Sequence, residues 1–201
     1  MNVRAAMLVL GLAVAGWYGW NHTRPLDPGP GVVAPRDPVQ RDPQDRTPIR
    51  FKDDYIINRL ADFEMTARVL ATKHYTFGRE SQLSPVDVAF GWGPMSDAGV
   101  LAKLTITQSN RWYYWRAQEL PIPRAEIEHN SANMHLVPAN AEVDRQLQAL
   151  RVGQVVTIEG SLIRVEARDG WRWQSSLTRT DTGNGACELI WVDRLVVKSP
   201  T

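Results

Sequence analysis

The only cysteine of the chain, Cys187, ends the polar, turn-rich segment SSLTRTDTGNGAC. A thiolate can act as a nucleophile when a neighbouring base activates it, and His129 or His135 could supply that base. Positive charge or a helix N-terminus favours a thiolate, whereas Cys187 begins a predicted strand. Because free cysteine is among the most buried residue types, we favour a structural role. The preceding loop is then explained by turn-forming residues, several of which accept a positive φ: Asp181, Gly183, Asn184 and Gly185.

Three charged residues around this loop could form a carboxylate and guanidinium site: Arg179, Asp181 and Glu188. A carboxylate at the edge of an apolar face can serve as a general acid. A glycosidase also needs a second carboxylate at a defined separation, which the sequence does not provide. We therefore assign no catalytic residue and expect Glu188 to pair with an arginine such as Arg179. The alternative is an envelope hydrolase that uses Glu188 and Asp181, or Cys187.

Another group of ionisable residues lies in EIEHNSANMH, which contains Glu126, Glu128, His129 and His135. These residue types bind transition metals. Their spacing matches neither a histidine pair one helical turn apart nor a compact Cys/His knuckle. We therefore predict a polar loop here, and we expect neither a metal nor another cofactor.

Aromatic residues interleaved with arginine are the main candidates for a binding site. The segment RWYYWR carries Trp112, Tyr114 and Arg116, and WRW places Trp171 and Trp173 on one face of a strand. If these strands adjoin, their rings form a platform suited to stacking on sugars or bases. The interpretation that we favour for most of these rings is that they fill the core of a small barrel and one hydrophobic side of the sheet. The predicted ligand-binding set is Trp112, Tyr114, Arg116, Trp171, Trp173, Arg179, Asp181 and Glu188.

The first 20 residues have the pattern of an export signal. One basic residue, Arg4, precedes an uncharged and largely apolar run over residues 5–20, which ends in three aromatic residues typical of a membrane interface. Cleavage after Ala15 is the alternative, but the leader would be unusually short. We expect a single-pass anchor in a bacterial inner membrane, with the C-terminal domain in the periplasm.

Residues 21–50 are predicted to be a linker. Seven of the 24 residues from Pro25 to Pro48 are proline, and the motif Arg-Asp-Pro occurs twice. Such a segment buries too little apolar surface to offset the entropy of ordering it. Proline favours an extended conformation of ~3.1 Å per residue, which predicts a spacer.

Residues 51–201 are predicted to fold as one β-rich domain. From Phe51 onward, 17 basic residues stand against 18 acidic ones, so the domain is near neutral. Nucleic-acid-binding domains usually carry an excess of basic residues that contact phosphates. We therefore expect no nucleic-acid partner.

Several segments of this domain have the periodicity of strands. In ADFEMTARVLA, apolar and polar residues alternate, which predicts a half-buried strand. VLAKLTITQ and RWYYWRAQ should form a hairpin around Ser109-Asn110. In SPVDVAFGWGP, Ser84 as an N-cap and Pro85 at the first helical position predict a short helix that ends by Pro94.

The C-terminal half predicts one main helix followed by strands. ANAEVDRQLQALRVG should form this helix, with Asn140 as its N-cap and Gly153 just beyond its end. QVVTIEGSLIRVEA should be a long strand whose buried face changes beside Gly160. A turn at Asp169-Gly170 should lead into WRWQSSL, and ACELIWVDRLVV should form the last strand.

These elements predict a mostly β (α+β) fold. Five to seven strands, one main helix and a bent long strand are typical of a small, partly closed, OB-like β-barrel. Such an architecture does not by itself define an activity.

The order of three motifs resembles that of a group of uncharacterised single-anchor bacterial envelope proteins. The motifs are LSPVDVAFGWGPMSD, SANMHLVPAN and SSLTRTDTGNGACE, and the resemblance covers most of the chain after residue 51. It implies no activity, ligand or catalytic residue. We expect a membrane-tethered periplasmic binding or assembly domain that acts on an envelope protein or on peptidoglycan.

Overall fold

The computed structural model describes residues 25–178 and 187–198. Their helices are α1 (Arg79–Leu83), α2 (Ala98–Leu101), α3 (Arg124–His129) and α4 (Ala141–Gln148), with a 3-10 helix at Gly93–Ser96. Their strands are β1 (Val39–Arg41), β2 (Ile49–Phe51), β3 (Tyr55–His74), β4 (Val86–Gly91), β5 (Thr105–Ser109), β6 (Trp112–Arg116), β7 (Ser131–Pro138), β8 (Val155–Ala167), β9 (Arg172–Gln174) and β10 (Glu188–Val197). The prediction of a mostly β protein is confirmed.

Five of the strands are paired in a ring. The order is β3, β4, β7, β10, β8 and back to β3, and only the pair of β7 and β10 is parallel. Strand β3 is 20 residues long and pairs with both β4 and β8. Register shifts after Arg59 and Val69 let it bend between these partners. The sheet is therefore partly closed on itself, as the sequence indicated.

The ring encloses the largest apolar cluster of the described residues. The residues of β3 that were predicted to face inward, Phe63, Met65, Ala67 and Val69, all belong to it. A second cluster lies outside the ring and includes Tyr55, Ile57 and Trp191, against which β2 and β9 pack. The predicted alternation of β3 is confirmed.

Strand β8 contributes to both clusters. Ile158 and Leu162 lie inside the ring, whereas Ile163 and Val165 belong to the outer cluster, so the predicted change of face is confirmed. The register shift lies in the partner strand β10, between Val192 and Arg194, which pair with Gly160 and Glu159 of β8. Gly160 allows the close approach, since a Cβ atom there would lie 2.0 Å from the carbonyl oxygen of Trp191.

The helix predicted for SPVDVAFGWGP is wrong, because the segment forms the fully buried strand β4. Ser84 does lie close to Asp87, with its Oγ donating to Oδ1 over 3.4 Å. However, Val86, Val88 and Phe90 alternate into the ring interior, and the strand pairs along both edges. Burial and two sets of backbone hydrogen bonds therefore outweigh the local helix signal.

The hairpin and the main helix are confirmed. Strands β5 and β6 form a separate two-stranded sheet whose turn residues, Asn110 and Arg111, have φ values of 50° and 65°. The turn thus lies one residue later than predicted, and the residues before β5 form α2 instead of a strand. In α4, Asn140 Oδ1 accepts hydrogen bonds from two backbone amides, as a capping residue does.

The segment predicted as a linker contributes to the fold from residue 25 onward. Strands β1 and β2 pair with β3, and the backbone amide of Leu26 donates to Val152 O over 2.8 Å. Ala34 is buried, and its amide donates to Ser96 Oγ. Prolines flank β1 at an edge of the sheet, where missing amide donors are tolerated. The described part of this segment is therefore packed on the domain, which differs from the expected free spacer.

None of the helices within residues 25–178 and 187–198 combines the length and the apolar character needed to cross a bilayer. The anchor predicted for residues 5–20 lies outside the described residues.

The N-terminal segment should contribute measurably to stability. We expect a chain that begins at residue 51 to have a free energy of unfolding at least about 2 kcal/mol below that of a chain that begins at residue 25. The reason is that the truncation exposes an edge of β3 and the apolar surface under Ala34. Urea denaturation measures the difference, and equal stabilities would show that the segment is only a tether.

Gly160 should be intolerant of a side chain. We expect Gly160→Ala to destabilise the protein by about 2 kcal/mol or more, because the methyl group collides with the backbone of β10. Gly170→Ala is the matched comparison. It places a methyl group in open space at a φ of 87° and should cost only about 1 kcal/mol. Thermal unfolding of both variants measures the two losses of stability. A larger loss for Gly170→Ala than for Gly160→Ala would contradict the prediction.

Candidate functional site

The β5–β6 hairpin presents the predicted residues Trp112, Tyr114 and Arg116 on one face. The strand register places them opposite three small hydroxyl residues, Ser109, Thr107 and Thr105 respectively. Tyr114 is 50% exposed and Arg116 is exposed, whereas Trp112 is partly buried. We call these six residues the hairpin face.

The opposite face of the hairpin is attached to the ring. Ile106, Tyr113 and Trp115 pack on an apolar cluster that contains Met95 and Ile127. The hydroxyl groups of Tyr113 and Ser131 share a hydrogen bond of 2.8 Å. Burial raises the pKa of Tyr113, so its phenol remains neutral at physiological pH. Alternation along β6 thus divides the aromatic residues into an attached face and an outward face.

The turn of the hairpin is held to the ring through Arg111. Its guanidinium donates to Asp87 Oδ1 over 2.7 Å and to the carbonyl oxygen of Ser84 over 3.1 Å. Its backbone amide donates to the hydroxyl of Tyr75, and its carbonyl oxygen accepts from Asn133 Nδ2. Both the side chain and the backbone of one turn residue therefore position the hairpin.

Asp87 and His135 form the buried end of this contact. Asp87 is fully buried in β4, and its Oδ1 lies 3.0 Å from His135 Nδ1. Among the described residues, Asp87 Oδ2 has no hydrogen-bond partner. A buried carboxylate requires a nearby cation, which Arg111 provides. We therefore regard the pair of Asp87 and Arg111 as the junction between ring and hairpin.

No spacing or motif in the sequence indicates that Asp87 and His135 are neighbours. The polar loop predicted for EIEHNSANMH is wrong, since the segment forms α3 and the start of β7. No cluster of metal-ligating residues occurs in the described ranges. The ring of His135 instead packs against the ring of Trp173, with 5.0 Å between the ring centroids. The alternation of buried Met134 and Leu136 with Asn133 and His135 is the signal that could have revealed this strand.

Strands β6 and β9 are not neighbours in a sheet, so the two aromatic strands do not form one continuous platform. They are connected through Arg111, whose guanidinium lies over the rings of Tyr75 at 4.2 Å and Trp173 at 5.5 Å. Trp173 contacts Trp171 at 6.2 Å, and Arg79 lies over Trp171 at 5.3 Å. We call these five side chains the aromatic row.

Trp171 and Trp173 are partly buried, which lies between the two interpretations that the sequence left open, core packing and an exposed platform. Each ring packs against the outer apolar cluster, and each also retains partial exposure to solvent. Their inner surfaces therefore stabilise the fold, while their outer edges remain accessible.

The other predicted site residues lie near the start of β10. Glu188 is its first residue and is buried, in phase with Ile190 and Val192 of the ring interior, while Cys187 is half-buried. Arg179 and Asp181 lie outside the described residues. The pairing of Glu188 with Arg179 and the hydrolase arrangement therefore remain predictions.

Comparison with known proteins gives no match to a protein-family model, to a curated protein or to a solved structure.

Removing the cation from the junction should destabilise the fold. We expect Arg111→Met to lower the free energy of unfolding by about 3–5 kcal/mol, because it leaves a buried carboxylate without compensation. Adding Asp87→Asn to the same chain should recover part of that loss. Arg116→Met, an exposed site on the same hairpin, should change stability by less than about 0.5 kcal/mol. Urea denaturation of the four chains provides the test, and equal losses at residues 111 and 116 would contradict the role of the junction.

Proposed function

We propose that this protein is a membrane-tethered, noncatalytic periplasmic domain that binds peptidoglycan or an envelope protein during assembly. The observation that carries the proposal is the hairpin face, an exposed surface built from aromatic, hydroxyl and guanidinium groups. Its other side is fixed to the ring, so the strands that carry these groups are held in place before a ligand arrives.

We further propose that the ring is an OB-like barrel. Three features support this assignment: a long first strand that pairs with two neighbours, one parallel pair in a five-strand ring, and α4 between the third and fourth ring strands in chain order. Barrels of this kind bind oligosaccharides and oligonucleotides. The near-neutral charge of residues 51–201 favours an oligosaccharide over an oligonucleotide as the ligand.

The chemistry of the hairpin face suits a glycan carrying acidic groups. The rings of Trp112 and Tyr114 can stack on the apolar face of a sugar, and the hydroxyl of Thr107 can exchange hydrogen bonds with sugar hydroxyls. Arg116 can pair with a carboxylate, which the peptide stems of peptidoglycan carry. We therefore favour peptidoglycan over an envelope protein as the ligand.

The packing of the N-terminal segment limits how far the proposed tether reaches. If residues 5–20 span the inner membrane, only five residues separate Trp20 from Leu26, whose backbone amide donates to Val152 O in the connection before β8. Fully extended, that stretch covers at most about 20 Å. The domain would then act close to the membrane surface, where newly made glycan emerges.

Substitution on the hairpin face tests this function. We expect Tyr114→Ala in the full chain to weaken binding to purified peptidoglycan by about 10-fold, which corresponds to about 1.4 kcal/mol of lost contact. Phe77→Ala removes a 92% exposed aromatic ring from another part of the surface and should leave binding unchanged. Co-sedimentation measures both variants.

Two outcomes would contradict the binding of peptidoglycan by the hairpin face. Equal binding by Tyr114→Ala and Phe77→Ala would exclude the hairpin face. Loss of a crosslinked protein partner in Tyr114→Ala, without any sedimentation of the parent chain on peptidoglycan, would identify an envelope protein instead.

A further inference from the structure

We propose that a polar groove beside Trp171 is a second saccharide subsite, which holds one sugar unit of the same chain that contacts the hairpin face. This inference rests on the proposed function and adds to it a position and a ligand class. The groove lies between the β3–β4 connection and the β8–β9 hairpin and has a volume of 530 Å³. That size falls within the range of about 300–1,000 Å³ that is usual for small-ligand sites.

The walls of the groove are fixed by contacts within the protein. Arg79 donates to both carboxylate oxygens of Asp169, over 3.1 and 2.5 Å, while its guanidinium lies over the ring of Trp171. Tyr55 packs edge-on against Trp171 at 6.3 Å, and its hydroxyl lies 3.4 Å from Gln82 Oε1. A ligand would therefore meet side chains whose orientations are already set.

The polar groups of the groove suit a hydroxylated ligand more than a strongly charged one. Two arginines, Arg79 and Arg168, are balanced by two aspartates, Asp54 and Asp169, so no net positive charge is available to hold a phosphate. Planar guanidinium, carboxylate and amide groups offer paired donors and acceptors, which match neighbouring sugar hydroxyls. The chemistry indicates a hexose or an N-acetylhexosamine.

Two of these groups are available for binding. Arg168 and Asp54 lie on the groove and have no ion-pair partner in the part of the chain that the structure describes. The pair of Arg79 and Asp169 is exposed, and such a pair contributes little to stability. A ligand could therefore contact these groups without breaking a contact on which the fold depends.

The aromatic row links this groove to the hairpin. From Trp171 the row continues to Trp173 at 6.2 Å and then to Arg111 at 5.5 Å, which is in the turn of the β5–β6 hairpin. The partly exposed edges of Trp171 and Trp173 lie along this path between the two ends. A ligand that reached both ends would be a chain of several sugars instead of a single one.

A short soluble glycan tests the groove separately from the hairpin face. The probe is the tetrasaccharide of β-1,4-linked N-acetylglucosamine, titrated into the full chain by calorimetry. We expect Arg168→Ala and Gln82→Ala each to raise Kd at least 5-fold without altering thermal unfolding, because both side chains are exposed. Arg172→Ala, an exposed arginine on the opposite face of β9, is the matched control and should change Kd less than 2-fold.

The results distinguish failure of the groove from failure of the proposed function. Wild-type affinity in Arg168→Ala and Gln82→Ala, or no binding of the tetrasaccharide by a chain that still binds peptidoglycan, would overturn the groove alone. Loss of tetrasaccharide binding in the groove variants, combined with unchanged peptidoglycan binding by Tyr114→Ala, would support the groove and overturn the hairpin face. Binding of neither ligand would overturn both.

Discussion

The double pairing of β3 is the constraint on which the rest of the structure depends. One strand of 20 residues supplies hydrogen bonds to β8 along its first part and to β4 along its last part, and this closes the ring. The bends after Arg59 and Val69 are required, because a straight strand cannot follow both neighbours. The ring leaves few of its own strand edges exposed and encloses the apolar face that runs through Phe63 and Met65. The remaining elements are attached to this ring from outside.

The hairpin is the clearest example of such an attachment. It lies between β4 and β7 in the chain and pairs with neither, so side chains must fix its position. Tyr113 and Trp115 pack on the apolar cluster that contains Met95 and Ile127, but packing alone specifies orientation poorly. The buried pair of Asp87 and Arg111 fixes the orientation of the hairpin on the ring, because a misplaced turn would leave the Asp87 carboxylate uncompensated inside the protein. The junction therefore gives the hairpin face a defined position relative to the aromatic row.

Much of this architecture could be predicted from alternation and turn chemistry. Strands β3, β8 and β10, the β5–β6 hairpin and α4 all carry strong local patterns, and Asn140 marks the start of the helix. The sequence misled where tertiary contacts override local preference. Ser84 and Pro85 indicate a helix start, yet Val86 to Gly91 are buried on both sides of a strand. The prolines of residues 25–50 indicate a spacer, yet an edge position accepts their missing donors. The partnership of Asp87 with Arg111 depends on long-range pairing that no spacing of residues reveals.

The two candidate surfaces are built from residues outside the apolar interior that stabilises the ring. The hairpin face lies on an excursion between two ring strands, and the Trp171 groove lies between the β3–β4 and β8–β9 connections. Neither surface supplies side chains to the interior of the ring, so exposed residues such as Tyr114 and Arg168 can be changed without emptying the core. Both are nevertheless anchored by groups that are buried or paired, namely Asp87 under the hairpin and Asp169 beside Arg79. Under the proposed function, a partly closed ring with attached excursions would hold its ligand by preorganised contacts, which suits an extended chain better than an enclosed small molecule.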